Sequence, residues 1–564
     1  MSQASAASQA TSPAGSRLRW DGWTWFTLLI AGLIGLPLLS VMVTAFGPSD
    51  GIWSHLVSTV LPVYVSNTLW LGLGVATGTI VLGTTTAWIV TMYRFPGRRL
   101  LSWALLLPLA VPSYVLAFVA TDQLEYAGAL QRGLRAAFGW TSASDYWFPE
   151  IRSLGGAIAV LSLVLYPYVY LLSRAAFVEQ CFCLFEVGRT LGQGPVRSFL
   201  RIALPLARPA IAVGVVLALM ETLNEFATVE FFAVPTLTAG IFDVWLNMNS
   251  RAGAAQLACL LVVLTLGLIF IERAARRRQR YWSTSARVRA LPEYPLPTGL
   301  GIAATLWCAF PVLAGFALPA GVLAGYAIEF HEVSLSQRGF GSYAWNSVRL
   351  AFGAAACAAA IGVLLAYGVR LSRSRAIRGA AEAATAGYAV PGAVLAVGLM
   401  VPLGLFDNAM DRMSREWLGL PLGLLLSGSG AALVAGYVVR FMALSFRTVD
   451  TGLERVTPSM EGSARTLGCG PLVTLLRVHF PLVRASVLTA ALLVFVDTLK
   501  ELPLTLILRP FNFETLATFV YQYASEEMLE ECALGALAIV AAGVLPVGLL
   551  SASITRSRPG HGPV

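Results

Sequence analysis

Four acidic residues stand inside apolar stretches of the sequence, where a charge needs a functional or structural reason. Glu221 and Glu225 form one pair four residues apart, and Asp497 and Glu501 form another. On a helix this spacing places both carboxylates of a pair on one face. An ionised side chain at the centre of a membrane helix costs about 2.5 to 3.5 kcal/mol, so such residues normally face a protein interior or a wet cavity.

Two hypotheses follow for these acids. In the first, they line a pathway and give a passing cation transient oxygen contacts. In the second, they are buried anchors: Lys500 neutralises an acid on a neighbouring span, and the other acids cap broken helix ends. The residue types alone do not separate the two hypotheses.

Several other chemistries lack the residues that they need. Lys500 is the only lysine and has no G-x-x-x-x-G-K-[ST] context, so the chain is not a P-loop ATPase. The sequence contains no HExxH or GxSxG motif, and its cysteines have no metal-ligand spacing; the Cys181 and Cys183 pair is interpreted as reduced and structural. The histidines are scattered, at His55, His331, His479 and His561.

The elements that carry the acids are expected to be membrane spans. Of the 564 residues, 57% are hydrophobic and only 12% are charged, which lies outside the range of soluble domains. Apolar stretches of about 20 residues, enough to cross about 30 Å of hydrocarbon as a helix, recur along the whole chain. We predict twelve spans, at residues 24–46, 66–92, 101–121, 155–175, 207–228, 254–271, 297–326, 346–369, 382–405, 420–440, 483–507 and 533–553.

The net charge of +9 is distributed as a topology signal and does not indicate a nucleic-acid surface. Arginines follow the second, sixth and eighth predicted spans, whereas the opposite loops are richer in acids. Because positive residues stay on the cytoplasmic side, both termini are expected in the cytoplasm, with a disordered tail at 1–16 and a second tail at 556–564. The arginines include Arg94, Arg98, Arg99, Arg273, Arg276, Arg277, Arg278, Arg280, Arg370, Arg373, Arg375 and Arg378, and the acids include Glu526, Glu527, Glu530 and Glu531.

The sequence contains an internal repeat. Two residues of the first half recur at a constant offset of 279, Asn67 as Asn346 and Pro112 as Pro391. An Arg-Thr-Leu-Gly run at 189–192 recurs at 465–468 with an offset of 276, which also relates the two acidic pairs. Six predicted spans separate the two runs, so the repeat is parallel, and two like units would enclose one central pathway.

The expected fold class is therefore an all-α polytopic membrane protein. It has about twelve transmembrane helices in two parallel six-helix repeats. The first unit is predicted at 17–272 and the second at 297–555, with a cytoplasmic linker at 273–296.

Each Arg-Thr-Leu-Gly run belongs to a longer segment that carries the functional signal. The first motif segment, residues 185–205, begins Phe-Glu-Val-Gly before the run and ends Leu-Pro; the second motif segment, residues 461–481, begins Glu-Gly-Ser-Ala and ends Phe-Pro. Each predicts a short amphipathic helix, a glycine that permits a left-handed turn, and a stretch leading into the next span. Such a unit can present a rigid knob to a partner on the cytoplasmic face.

Both segments resemble the coupling loop of binding-protein-dependent ABC importers, whose pattern is Glu-Ala-Ala, three residues, Gly, and later Ile-x-Leu-Pro. The resemblance implies the type I ABC importer permease fold and a separate ATPase subunit, in two copies, which docks on both segments. That subunit uses the ATP, so no cofactor is expected in this chain. Carried over position by position, the ATPase-coupling residues are Glu186, Gly192, Pro205, Glu461, Gly468 and Pro481.

The segments also depart from the pattern. The small residues of the first segment are Val187 and Gly188, and the glutamate of the second lies one place earlier relative to the arginine. The first segment is therefore expected to dock less tightly.

The wider resemblance covers nearly the whole chain and is to ferric-iron permeases of the same class. It is clearest at residues 497–503, 508–513 and 515–517, and in the first half at 221–226 and 254–258. It implies ferric iron as cargo, a periplasmic iron-binding protein as partner and the bacterial inner membrane as location. Fused permeases of this kind also carry thiamine, so thiamine or another small solute is the alternative cargo.

Ferric ion prefers oxygen donors, and the notable polar groups here are carboxylates. The four loop acids at 526–531 are either an iron platform or a solvated helix face that contacts the binding protein. An ion-driven secondary transporter would also explain the intramembrane acids and the repeat, but it has no use for paired motif segments. A membrane-embedded enzyme lacks its motifs.

Overall fold

Long apolar helices dominate the computed structural model, which describes residues 22–48, 51–179, 190, 194–277, 294–330, 339–372, 374–454 and 456–556. Among these residues, eleven helices are long and apolar enough to cross a membrane, or twelve if one bent pair counts as a span. The all-α fold class and the number of spans are confirmed. The predicted tails and linker lie outside the described residues, apart from 273–277, 294–296 and 556.

Each predicted span of the first half contains helix. Its α-helices are α1 Gly22–Ala45, α2 Ile52–Ser58, α3 Leu61–Met92, α4 Arg98–Ala104, α5 Ser113–Leu124, α6 Ala129–Phe138, α7 Leu154–Glu179, α8 Pro195–Ser198, α9 Leu204–Asn224, α10 Ala227–Phe231, α11 Leu237–Phe242 and α12 Arg251–Arg277. Short 3-10 turns cover Leu107–Ala110 and Ala143–Asp145, and π turns cover Phe199–Ala203 and Asp243–Asn247.

The second half follows the same order. Its α-helices are α13 Thr298–Val312, α14 Leu318–Glu329, α15 Phe340–Ser372, α16 Arg375–Ala384, α17 Gly392–Leu418, α18 Gly430–Glu454, α19 Pro458–Thr466, α20 Pro471–Thr474, α21 Phe480–Leu499, α22 Pro503–Leu508, α23 Leu516–Ser525 and α24 Leu529–Arg556. A 3-10 turn covers Thr385–Ala389, and π turns cover Leu313–Ala317 and Leu475–His479. The strands β1 Tyr93–Arg94 and β2 Tyr294–Pro295 pair in parallel, with Tyr93 opposite Tyr294.

The chain packs as two compact units. The smaller unit comprises Met1–Leu36, Gly353–Tyr388 and Val438–Val494, and the larger unit comprises Pro37–Phe352, Ala389–Tyr437 and Phe495–Val564. The smaller unit contains the second motif segment, and the larger unit contains all four intramembrane acids. The predicted unit boundaries at 17–272 and 297–555 stay predictions.

Buried aromatic side chains hold the larger unit together around α3 and α7. Tyr166 and Tyr170 are fully buried, and their hydroxyls donate to the carbonyls of Leu105 and Ser102 at 2.8 and 2.9 Å. Trp88 packs edge-on against Phe177 at 5.5 Å between ring centroids. This packing fixes the helices of the first half relative to the 3-10 turn that precedes α5.

The repeat is visible in matching side-chain contacts within the larger unit. The amide of Asn67 donates to the carbonyl of Pro235 at 3.0 Å, and the equivalent Asn346 donates to that of Glu514 at 3.0 Å. Both asparagines lie in long apolar helices, where an amide group is costly unless it is hydrogen-bonded. The predicted correspondence of Asn67 with Asn346 therefore reflects one structural role. Each side chain holds the chain just before a short helix, α11 in the first half and α23 in the second.

The third predicted span, 101–121, is not straight. Residues 98–110 and the helices that begin at Ser113 meet at a bend of 95°. Pro112 lies at this bend and its equivalent Pro391 precedes α17, and a proline is tolerated at the start of a helix because its missing N–H has no partner there. The predicted span 382–405 of the second half is interrupted at the equivalent position, between the 3-10 turn Thr385–Ala389 and α17.

The tenth predicted span, 420–440, is displaced. Helix α18 begins at Gly430, and the apolar residues before it form a loop. Asp407 of α17 holds this loop, because its carboxylate accepts from the backbone amides of Leu426 and Ser427 at 2.9 and 2.6 Å. These bonds replace the helical hydrogen bonds that the hydropathy pattern predicted.

Candidate functional site

The first acidic pair lies where the fifth predicted span breaks. Helix α9 ends at Asn224, and Glu225 is extended, with φ −72° and ψ 124°. The Glu225 carboxylate accepts from the backbone amide of Thr228 at 2.9 Å and from the hydroxyl of Ser113. It therefore satisfies a donor at the start of α10, as an N-terminal capping group does.

The second acidic pair has the same arrangement. Helix α21 ends at Leu499, and Glu501 is buried, with 5% of its surface exposed. Its carboxylate accepts from the backbone amides of Leu504 and Thr505, both at 3.1 Å, and from the Thr505 hydroxyl at 2.9 Å. The side chain thus caps α22 with three hydrogen bonds.

Two expectations about the acids are wrong. The predicted spans 207–228 and 483–507 end early, so Glu225 and Glu501 lie past the helix ends and do not share a helical face with Glu221 and Asp497. At the second break Pro503 starts α22, where the missing N–H of a proline needs no helical partner. Capping of broken helix ends, one part of the anchor hypothesis, matches the geometry of both breaks.

Lys500 forms an ion pair within its own segment. Its ammonium lies 2.9 Å from the Asp497 carboxylate, three residues earlier on the same segment and not on a neighbouring span. Glu221 is half-buried in the last turn of α9. Among the described residues, no three His, Cys, Asp or Glu side chains group closely enough to hold a metal ion.

Aromatic and polar neighbours complete the breaks and were not singled out from the sequence. The ring of Tyr521, from α23, lies 6.4 Å from that of Phe118 and 6.2 Å from that of Phe226. The Asn224 side chain accepts the backbone N–H of Gly392 at 2.8 Å. The first and second halves therefore meet at the breaks, and the position of Gly392 directly after Pro391 was the available sequence signal.

The second motif segment has the predicted form. Helix α19 ends at Thr466, and Gly468 has a φ of +79°, where a side chain would be strained. The amide of Cys469 then donates to the carbonyl of Ala464 at 3.0 Å, which closes the helix end. Leu467 stands 82% exposed at this turn, and Leu472 and Leu476 beyond it are more than half exposed. The segment presents an apolar knob.

Glu461 does not belong to that exposed surface. Its carboxylate pairs with the guanidinium of Arg370, and the two side chains are only 13% and 20% exposed. The fully buried His479 lies 3.4 Å from the same carboxylate. Sequence reasoning missed both partners, because neither lies near Glu461 in the chain.

The two motif prolines occupy equivalent positions. Pro205 follows the π turn Phe199–Ala203, and Pro481 follows the π turn Leu475–His479. A proline lacks the N–H of a regular helical bond, and a π turn accommodates the change. Glu186 and Gly192 of the first motif segment lie outside the described residues, as does the Cys181 and Cys183 pair.

The loop acids make contacts within the chain. Arg152 pairs with Glu125 and, at 2.5 Å, with Glu527, and its guanidinium lies over the ring of Phe231 at 4.8 Å. Burial pulls the pKa of Arg152 down, but the hydrogen bonds that its guanidinium donates to Glu527 and Glu125 outweigh this effect, so the pKa lies above its ordinary value. Of the four acids, Glu526 and Glu527 are exposed, and Glu530 and Glu531 are half-buried.

These features define a polytopic membrane protein with two like halves, each containing a broken span capped by an acid. The family model of binding-protein-dependent transport system inner membrane components matches residues 79–281. The molybdenum transport system permease protein of Escherichia coli K12 is 30% identical over 197 residues, which cover 34% of this chain and 82% of that protein. The chain belongs to this family of inner-membrane transport components.

Two longer matches are to iron permeases. An Fe(3+)-transport system permease protein of Haemophilus influenzae is 25% identical over 540 residues, 93% of this chain and 97% of that protein. A ferric transport system permease protein of Actinobacillus pleuropneumoniae is 22% identical over 414 residues, 69% of this chain and 56% of that protein.

Proposed function

We propose that this chain is the permease of an ATP-driven importer that carries ferric iron, delivered by a periplasmic binding protein, across the bacterial inner membrane. The observation that carries the proposal is the match to the Haemophilus influenzae Fe(3+)-transport permease, which extends over 93% of this chain and 97% of that protein. The molybdenum permease has a higher identity than the Haemophilus influenzae protein, 30% against 25%, but its match covers only 34% of this chain.

A separate ATPase, in two copies, supplies the energy by docking on the two motif segments at the cytoplasmic face. Support comes from the apolar knob of the second segment, since exposed apolar side chains rimmed by polar ones mark protein contacts. With both segments cytoplasmic, both termini are cytoplasmic as well. The docking residues proposed from the family pattern are Glu186, Gly192, Pro205, Gly468 and Pro481. The pattern also selects Glu461, but its carboxylate pairs with Arg370 inside the chain.

The cargo path runs between the two halves, beside the broken spans. In this proposal the four acids divide their roles. Glu225 and Glu501 keep the breaks stable, as their capping bonds indicate. Glu221 and Asp497, one turn earlier in each half, offer oxygen contacts to a passing cation, which suits hard ferric ion.

Reconstitution tests the function directly. The chain is placed in liposomes with a candidate ATPase and binding protein, and ATP hydrolysis and uptake are measured with ferric iron, molybdate and thiamine. We expect stimulation by iron alone, with a dependence on ATP and on the binding protein. Uptake driven by a proton gradient without ATP would show a secondary transporter, and stimulation by thiamine or molybdate would reassign the cargo.

A further inference from the structure

Arg370 makes an unusual set of contacts at the base of the second motif segment. Its guanidinium donates to three acceptors at once: the Glu461 carboxylate, the carbonyl of Leu453, and the carbonyl of Val456 at 2.6 Å. Leu453 lies in the last turn of α18, and its carbonyl also accepts the backbone N–H of Val456 at 3.0 Å. One arginine therefore joins the end of α15, the end of α18 and the motif helix α19.

Buried neighbours hold the opposite side of the same segment. The Tyr367 hydroxyl donates to the carbonyl of Pro471 at 2.7 Å, and its ring lies 5.2 Å from that of His479. Arg370 and Tyr367 lie one turn apart on α15. The motif segment is thus attached to α15 at two points, one before and one after the Gly468 turn.

Glu461, the acid that Arg370 binds, is not the residue that aligns with the glutamate of the first motif segment. By the offset of 276, Glu186 of the first motif segment corresponds to Gly462, so Glu461 is an additional acid and not the aligned one. Its carboxylate is turned towards Arg370, whereas Gly462 is exposed. The pairing with Arg370 and the burial of both side chains turn this carboxylate away from the surface that a partner would contact.

At the positions of the first half that are equivalent to Arg370, Glu461 and His479, the sequence has other residue types. Arg370 corresponds to Thr91, whose buried hydroxyl has no hydrogen-bond partner, and His479 corresponds to Ala203. The arginine, the extra glutamate and the histidine therefore occur together in the second half only. A group of residues that appears as a set indicates one role.

We propose that Arg370 is a positioning residue that fixes the second motif segment through Glu461, and that Glu461 is an internal anchor and not a contact to the ATPase. The ATPase contact falls instead to the exposed Leu467 beside the Gly468 turn, since Leu472 and Leu476 lie in the stretch Pro471–Leu499, which is apolar enough to cross a membrane. This inference rests on the proposed function, since it assigns the roles of residues within the same docking segment.

The test compares Arg370→Gln, Glu461→Gln and the double variant with the wild-type chain. Arg375→Gln is the matched control, because Arg375 lines the same cavity of about 330 Å³ beside Arg370 but lies on α16 and is exposed. Hydrogen exchange of α19 in the full chain without ATPase is the first measurement. Each single variant should speed exchange by about tenfold or more, the effect of losing one charge-assisted hydrogen bond, and the control should not.

The second measurement is ATPase retention and the amount of iron carried per ATP in proteoliposomes. An anchor predicts that both single variants lose coupling to the same degree, and that the double variant is no worse than either. Arg370→Lys keeps the charge but not the planar fork of donors, so it should recover part of the coupling. This partial rescue separates positioning from a general loss of folding.

Two outcomes would overturn the inference. If Glu461→Gln releases the ATPase while Arg370→Gln retains it, Glu461 is a direct contact. If neither variant changes exchange in α19, Arg370 does not hold the segment. Failure of the wild-type chain to bind any ATPase would instead refute the proposed function, and the exchange result would still decide the role of Arg370.

Discussion

The capping role of Glu501 predicts that its substitution lowers stability before it changes transport. The carboxylate accepts three hydrogen bonds from Leu504 and Thr505, and it is almost completely buried. Glu501→Ala removes the acceptor of the Leu504 and Thr505 backbone amides, while the Thr505 hydroxyl keeps the Glu501 carbonyl at 2.8 Å. Glu501→Gln keeps one acceptor oxygen. The Gln side chain also brings an amide donor towards backbone donors, which it cannot satisfy.

The magnitude follows from these contacts. Loss of a helix cap costs about 0.5–2 kcal/mol, and a hydrogen bond to a charged group is worth about 1.5–3 kcal/mol. We therefore expect about 1–2 kcal/mol for Glu501→Gln, and about 3 kcal/mol or more for Glu501→Ala, because buried donors are left unpaired. Glu225→Gln should fall in the lower range, since the Glu225 carboxylate accepts one bond from Ser113 and one from Thr228.

The assay measures two quantities on the same preparations. Thermal unfolding of the full chain in lipid nanodiscs gives stability, and iron uptake in proteoliposomes at equal protein content gives transport. Glu221→Gln and Asp497→Asn are matched controls, because each removes one charge a turn earlier without removing a cap. We expect lower unfolding midpoints for the Glu225 and Glu501 variants, and near-normal uptake by the fraction that remains folded.

A specific result would refute this reasoning. If Glu225→Gln and Glu501→Gln unfold at the wild-type temperature but abolish uptake, the two carboxylates act on the cargo and the capping bonds are incidental. If the Asp497→Asn control instead shows the largest loss of stability, the ion pair with Lys500 holds the break, and the assignment of the caps is wrong.

Three further predictions test other parts of the molecule. Cysteines placed at Arg276 and Arg375 should label only from the cytoplasm and one at Glu527 only from outside; the reverse pattern would contradict the orientation. Gly468→Val places a β-branched side chain at a φ of +79°, at a cost of about 1–2 kcal/mol, and should leave insertion intact while weakening ATPase retention; normal retention and uptake would show that the docking assignment is wrong. Arg152→Gln removes two partly exposed ion pairs worth about 0.2–1 kcal/mol each, so its thermal destabilisation should shrink at high salt, and a salt-independent loss would contradict an ionic role.

The repeat was the feature that the sequence predicted best. Identical residues at a fixed offset can be recognised without knowing where the helices begin and end, so Asn67 and Asn346 could be matched before their contacts were known. The structure adds the reason, because both side chains bind a backbone carbonyl at 3.0 Å. The number of spans was equally predictable, because apolar length alone sets whether a helix can cross a bilayer.

The breaks could not be found from hydropathy. The stretch before Glu221 is so apolar that a window average continues into the break although residues 221–230 include several polar ones, and no proline marks the position. At the second break Pro503 was the available signal. The loop before α18 was missed for a similar reason: its leucines resemble a span, while Gly419, with a φ of +66°, ends the preceding helix.

For the second motif segment the local sequence pattern predicted the helix and the turn correctly, but it did not predict which residues the side chains contact. Gly468 could be expected to adopt a left-handed turn, because that property belongs to the residue itself. The orientation of Glu461 depends on Arg370, 91 residues earlier in the chain. A contact between such distant residues follows from tertiary packing and has no local sequence signal.

The two breaks also differ in the residue beside the capping acid. Asn224 and Lys500 are equivalent at the offset of 276. Asn224 accepts the Gly392 N–H and so joins its break to the other half, whereas lysine has no acceptor. Lys500 pairs instead with Asp497 in its own half. A glutamate stands at the capping position in both halves because the backbone amides at the start of the next helix need an acceptor there. No such requirement acts on the residue before it. The two breaks consequently differ in charge: the second carries the Asp497–Lys500 ion pair, and the first carries Glu221 with the neutral Asn224.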